Sequence, residues 1–118
     1  MKDDRVYLHH ILECLDAIQS YTGEGRQAFM RDRKTQKATL RELQELAESS
    51  QRLSDSLKAR RPEIPWPDIA GFRNVLVHDY LGLNLSRIWH VIEHDLSPLR
   101  TAVQAMLESL EAGQPPTS

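Results

Sequence analysis

The stretch DDRVYLHHILECLDAIQSY, residues 3–21, decides the fold class. Tyr7, Ile11, Cys14, Ile18 and Tyr21 recur at steps of four and three, and Leu8, Leu12 and Leu15 widen the stripe. Apolar side chains at this period line one face of an α-helix, and a face this broad predicts a well-buried one.

The same period continues outward from this segment. Thr22-Gly23-Glu24-Gly25 breaks the first helix, and a short helix or turn is expected over 26–32. Over 35–59, Leu40, Leu43, Ala47, Ser50, Leu53 and Leu57 step by three and four, which predicts a long helix with a narrow seam packed on one side. Pro62, Pro65 and Pro67 end it in a stiff connector, RRPEIPWP, with Pro67 suited to the first turn of the next helix. That helix is expected over 67–81, with Gly82 as its stop. Asn84 or Ser86 then caps a last helix striped by Ile88, Ile92, Leu96, Leu99, Val103, Met106 and Leu110. Ser97-Pro98 falls inside it, to kink the helix or to restart it with Ser97 as cap and Pro98 first. No strand-period alternation and no internal repeat occurs. The expectation is an all-α, up-and-down bundle of four main helices plus a short one, a single domain over 1–111 followed by a disordered tail, 112–118.

Composition narrows the function. At 118 residues, 40% apolar and 27% charged, the chain is long enough to bury a core without disulfides or a structural metal, and its one cysteine, Cys14, allows no intrachain disulfide. No run nears the ~18 apolar residues of a membrane span. MKDDRVYLHH lacks the apolar core of a signal peptide, so the expected location is cytoplasmic. A net charge of −2 excludes a general polyanion binder, yet charge is uneven. Between 26 and 41, Arg26, Arg31, Arg33, Lys34, Lys37 and Arg41 face Asp32 alone. That run is either a solvated helix face or a landing strip for phosphates, and the count does not choose.

Two clusters carry candidate chemistry. His90-Val91-Ile92-Glu93-His94 spells H-x-x-E-H, the zinc pattern of inverzincin peptidases. Those enzymes need a further carboxylate ligand and a substrate cleft, for which a helical chain of this size has little room, so no metal is expected. His9, His10 and Cys14 are weaker candidates still, better read as satisfied core or interface residues. The second cluster is RNVLVHDY, residues 73–80. At ~100° per residue, Arg73 and Tyr80 lie within ~20° of each other, whereas Arg73 and His78 lie ~140° apart. Ile69, Phe72, Leu76 and Leu83 fill the flank near Arg73 and Tyr80, and Gly71 stands beside the Asn74–His78 stripe. A glycine there lets another backbone come close, so two such helices packed symmetrically would unite both polar sets. The residue types suit phosphodiester chemistry: imidazole moves a proton near neutral pH, guanidinium holds a phosphate, and Asn74 can orient the imidazole or donate to a phosphate oxygen. An ion-paired arginine and a helix-end histidine remain the plain alternative.

The run IPWPDIAGFRNVLVHDYLGLNLSRIWHVI, residues 64–92, resembles the HepT-like branch of the HEPN superfamily, with its R-x4-H-x-Y signature. Arg73, His78 and Tyr80 fall on the three marked positions, and Asn74 on the polar position after the arginine. Upstream, ELAESSQRLS resembles the family's I-G-E-A segment, with Glu48 as its glutamate but Ala47 and Ser49 in place of the glycine and alanine. The resemblance implies a homodimeric all-α bundle with two R-x4-H motifs at a shared cleft. It implies a metal-independent ribonuclease toxin, without cofactor, whose partner is an MntA-like nucleotidyltransferase antitoxin. Arg73 and His78 would be catalytic, Asn74 and Glu48 supporting, and Tyr80 the acceptor of AMP. Arg31, Arg33, Lys34 and Lys37, in the basic segment, would guide RNA. The competing reading is a catalytically idle helical subunit that binds a nucleotide or the transferase.

Overall fold

The computed structural model describes residues 3–79 and 82–112. Its helices are α1 (Asp4–Thr22), α2 (Arg26–Arg31), α3 (Arg33–Arg52), α4 (Asp55–Ala59), α5 (Trp66–His78), α6 (Leu85–His94) and α7 (Leu96–Ala112). The chain is all-α, as its periodicity predicts. α1 lies between α3 and α7, and α3 lies between α1 and α5, so the layers run α7–α1–α3–α5. α6 packs on α7, and α2 leans against the α1–α3 pair. No helix among the described residues is long and apolar enough to cross a membrane.

The central position of α1 follows from its broad apolar face. Leu8, Ile11, Cys14, Leu15 and Ile18 are each no more than 2% exposed. Tyr21 departs from the expected stripe: it is exposed in the last turn, next to the Thr22–Gly25 break. Asp3 caps the helix by accepting from the Arg5 N–H at 2.8 Å. At the other end Gly25 takes φ 96°, which a side chain would oppose, and turns the chain into α2. There Phe29 is buried against Trp89 of α6, ring centroids 5.4 Å apart, so the short helix is pinned to the far end of the bundle.

α3 is packed on two sides rather than one. All six seam residues are buried, but so are Thr39, Leu46 and Ser49. Sandwiching between α1 and α5 demands the wider face, and small Ala47, Ser49 and Ser50 allow the close approach. The helix also ends earlier than its stripe. Leu53 is extended (ψ 146°), and Ser54 caps the separate α4 by accepting from the Leu57 N–H. The break is held from across the bundle, where Asp4 accepts from the Ser54 N–H at 2.8 Å and from its hydroxyl at 2.7 Å. Those bonds replace the ones the continuing helix would have made.

The remaining boundaries shift for equally local reasons. α5 stops at His78, not 81, because Asp79 leaves the helical region at φ −126°, ψ 41°. Trp66 opens that helix and donates its indole N–H to the Lys58 and Arg61 carbonyls, both at 3.1 Å, which fixes the proline connector. Asn84 is the cap of α6, accepting from the Ser86 and Arg87 N–H groups. The restart near Pro98 occurs at Leu96 after Asp95, so Ser97 lies inside α7 rather than capping it. Pro98 then sits in a first turn, where its missing N–H costs nothing. α7 runs through Ala112, and the rest of the expected tail, 113–118, lies outside the described residues.

Candidate active site on helix α5

Arg73 points from α5 towards α3. Its Nη2 donates to Glu48 Oε2 at 3.2 Å and its Nη1 to Asn74 Oδ1 at 3.3 Å. Gln44 Nε2 donates to the same Glu48 oxygen at 3.5 Å. Arg73 Nε is sealed from solvent without an acceptor, so the guanidinium is held by its outer nitrogens while one donor goes unused. The structure therefore brings together three of the candidate residues, Arg73, Asn74 and Glu48. Glu48 and Asn74 together fix the orientation of the guanidinium, which P–O chemistry would require of a phosphate-binding arginine.

His78 is placed differently. It closes α5 as an exposed residue, and among the described residues no side-chain hydrogen bond engages its ring. The helix itself dictates this separation: a single straight α5 cannot aim Arg73 and His78 at one point. Tyr80 lies outside the described residues, two positions beyond His78 in the sequence.

The other face of α5 is uncovered. Gly71, Asn74, Val75, Val77 and His78 are all exposed, with Val75 at 44%. A Cβ built on Gly71 meets no atom within 4 Å, so nothing in this chain requires a glycine there. A mostly apolar groove of about 880 Å³ between α3, α5, α6 and α7 is lined by Gly71 and Val75 but by neither Arg73 nor His78.

Arg31, Arg33, Lys34 and Lys37 are exposed at the end of α2 and the start of α3. Asp32 caps α3 between them, its carboxyl held below the usual carboxylate range first by the Thr35 hydroxyl. Lys37, Arg41, Gln44 and Glu48 fall within ~60° of arc, and Lys37 and Glu48 are ~16 Å apart along the axis. Between Lys37 and Glu48 on this face stand Arg41, paired with Glu45 at 2.8 Å, and the neutral Gln44.

The H-x-x-E-H residues do not bring three donor atoms together in one cluster. His90 and His94 are exposed with ring centroids 4.4 Å apart, and Glu93 turns to His94 at 3.4 Å. The group that does converge among the described residues is His10, Cys14 and Glu45, on α1 and α3. Burial pushes the Cys14 thiol up to about 12, with Glu42 the next cause. Sequence reasoning missed this group because Glu45 and Ser49, the partners of His10, lie on another helix; no local signal announces them.

Against known proteins, the profile of the family described as Ribonuclease HepT-like matches residues 11–106. A "probable ribonuclease HepT" of Thermococcus cleftensis is 34% identical over 95 residues, covering 80% of this chain and 86% of that protein. A Methanocaldococcus jannaschii protein named "Gamma-glutamylcyclotransferase and putative RNase" is 29% identical over 93% of this chain; the chain spans only 50% of its length. Among solved structures, a tri-AMPylated Shewanella oneidensis HEPN toxin in complex with MNT antitoxin matches with a TM-score of 0.65 and 26% identity, covering 95% of this chain and 99% of that one.

Proposed function

The chain belongs to the ribonuclease HepT-like family, and from that membership we propose that it is a metal-independent endoribonuclease toxin of a prokaryotic toxin–antitoxin pair. The observation that carries the reading is the Glu48-anchored Arg73 on the helix that ends at His78. Arg73 and His78 are the catalytic pair, Asn74 and Glu48 position the guanidinium, and the cationic strip of Arg31, Arg33, Lys34 and Lys37 receives the RNA backbone.

Two copies of α5 supply the cleft. Open space at Gly71, the exposed Val75 and the separation of Arg73 from His78 within one chain all favour symmetric packing along that face. In the shared cleft His78 takes the proton of a ribose 2′-hydroxyl, whose oxygen attacks phosphorus. The bond from phosphorus to the 5′-oxygen breaks, and a second imidazolium returns a proton to that oxygen. Arg73 stabilises the charge gathering on the non-bridging oxygens. The products of this route are a 2′,3′-cyclic phosphate and a 5′-hydroxyl.

Silencing rests on Tyr80. The solved neighbour is a tri-AMPylated toxin bound to its MNT antitoxin, and Tyr80 here falls on the motif tyrosine. A partner nucleotidyltransferase of that kind would join the Tyr80 oxygen to the α-phosphorus of ATP with loss of pyrophosphate. The anionic adduct would then compete with RNA for Arg73.

The experiment is RNA cleavage by the purified chain in EDTA, alongside Arg73→Ala and His78→Ala. Cleavage by wild type, lost in both variants, is the expected result; full cleavage by His78→Ala removes the proton-transfer assignment. After incubation with ATP and the transferase, mass spectrometry should find AMP on Tyr80 and none on a Tyr80→Phe chain.

A further inference from the structure

His10 and Cys14 stand one turn apart on α1, and α3 brings Glu45 and Ser49, also one turn apart, against them. His10 Nε2 lies 3.4 Å from Glu45 Oε1 and 3.7 Å from Cys14 Sγ. The three donor atoms all lie within 4.8 Å of one another. Around a tetrahedral zinc ion with ordinary bond lengths, a ring nitrogen and a carboxylate oxygen stand ~3.3 Å apart, and a nitrogen and a thiolate sulfur ~3.6 Å apart. The two distances from His10 Nε2 are close to those edges of such a tetrahedron.

The surroundings orient each donor. His10 Nδ1 is hydrogen-bonded to the buried Ser49 hydroxyl; in the tautomer whose Nδ1–H donates to Ser49, Nε2 presents its lone pair towards Cys14 and Glu45. Glu45 gives its other oxygen to Arg41, whose Nε donates to Oε2 at 2.8 Å, so Oε1 is the oxygen left for an ion. Cys14 is 1% exposed, while the His10 and Glu45 side chains are 37% and 31% exposed. An ion would thus enter from the solvent edge and rest against the sulfur at the bottom.

We propose that His10, Cys14 and Glu45 form a binding site for a divalent cation of the zinc class, which clips α1 to α3 and keeps a fourth position for water. Imidazole, thiolate and carboxylate together select zinc over magnesium or calcium, which prefer oxygen alone. The clip lies one turn from Glu48 on α3, so it fixes the segment that holds Arg73. It takes no part in phosphodiester cleavage, and it stands whether or not the chain cuts RNA.

Cobalt(II) is the probe. The full chain, stripped with chelator and kept reduced under nitrogen, is titrated with Co²⁺. The expected spectrum has a near-ultraviolet sulfur-to-cobalt charge-transfer band and the intense visible bands of four-coordination, both breaking at one equivalent and bleached by Zn²⁺. Cys14→Ser should abolish the charge-transfer band. His10→Ala, at a part-exposed position that leaves the core intact, should weaken binding by ~10-fold or more, as should Ser49→Ala through the ring it orients. A chain with both His90→Ala and His94→Ala should keep the full spectrum. Circular dichroism establishes that each variant is folded. Absence of the band in wild type, its survival in Cys14→Ser, or equal affinity in the folded His10→Ala chain would each reduce the trio to a hydrogen-bonded knot between helices and overturn the site.

Discussion

Glu48 on α3 accepts from Arg73 on α5 across 3.2 Å, and neither side chain is more than about a third exposed. This pair ties the layer that carries the candidate chemistry to the middle of the bundle. It also commits Arg73 to the flank of α5 that faces α3, away from the exposed His78.

Glu48→Gln tests the pair as a positioning device. A partly solvent-exposed ion pair contributes no more than ~1 kcal/mol to stability, so thermal unfolding should move little. The turnover number for RNA cleavage should fall by ~10-fold, more than KM rises, because the guanidinium loses its pre-orientation rather than its charge. A variant with wild-type turnover would show that Glu48 serves packing alone.

Gly71→Arg tests the open face. A Cβ at Gly71 meets no atom within 4 Å, and removing glycine from a helix interior favours the helix by up to ~1 kcal/mol. The variant should be at least as stable as wild type to dilution-independent unfolding, yet elute as a monomer and cleave no RNA. Light scattering coupled to gel filtration reads the first outcome. A dimeric, active Gly71→Arg chain would place the partner on another surface.

The cationic strip predicts a salt signature. Replacing Arg33, Lys34 and Lys37 together by alanine should leave turnover on saturating RNA unchanged while weakening binding. The slope of log affinity against log salt should lessen by up to ~2, because each single-strand phosphate that a side chain no longer neutralises removes about 0.7. Fluorescence anisotropy across a salt series measures it, and an unchanged slope would make the strip a solvated face.

Cys14 sets an alkaline limit in the metal-free chain. Its thiol is pushed from 9.0 to about 12, chiefly by burial. A raised folded value means that the unfolded chain loses its proton first. The associated stability is thus complete below pH 9, declines as pH rises past it and is gone near 12. Urea midpoints should fall over this window, and the fall should flatten in Cys14→Ala. The folded thiol should also react slowly with a disulfide reagent at neutral pH.

Much of this architecture can be read from period alone, and the parts that cannot share one cause. Leu8, Ile11 and Ile18 announce α1 because a 3.6-residue repeat is a local property, as are the Asn84 cap and Pro67 in a first turn. The break at Leu53–Ser54 is invisible in the stripe, since Asp4 holds it from 50 residues away. The buried Thr39, Leu46 and Ser49 likewise depend on α5 covering the second side of α3. On α5 the helical wheel already separates Arg73 from His78, whereas the acceptor that Arg73 finds on α3 could be named only through family resemblance. His10 was legible as a histidine near a cysteine. Its relation to Glu45 and Ser49 exists only once α1 and α3 are in register.

The central claim, that each chain holds half of a shared cleft, is tested most directly by mixing wild type with His78→Ala at constant total concentration, after subunit exchange, and measuring RNA cleavage in EDTA. If both copies are needed at one cleft, activity follows the square of the wild-type fraction, and an equal mixture retains a quarter of the activity. A linear fall, with half retained, would mean that each chain carries a complete site and would contradict the account.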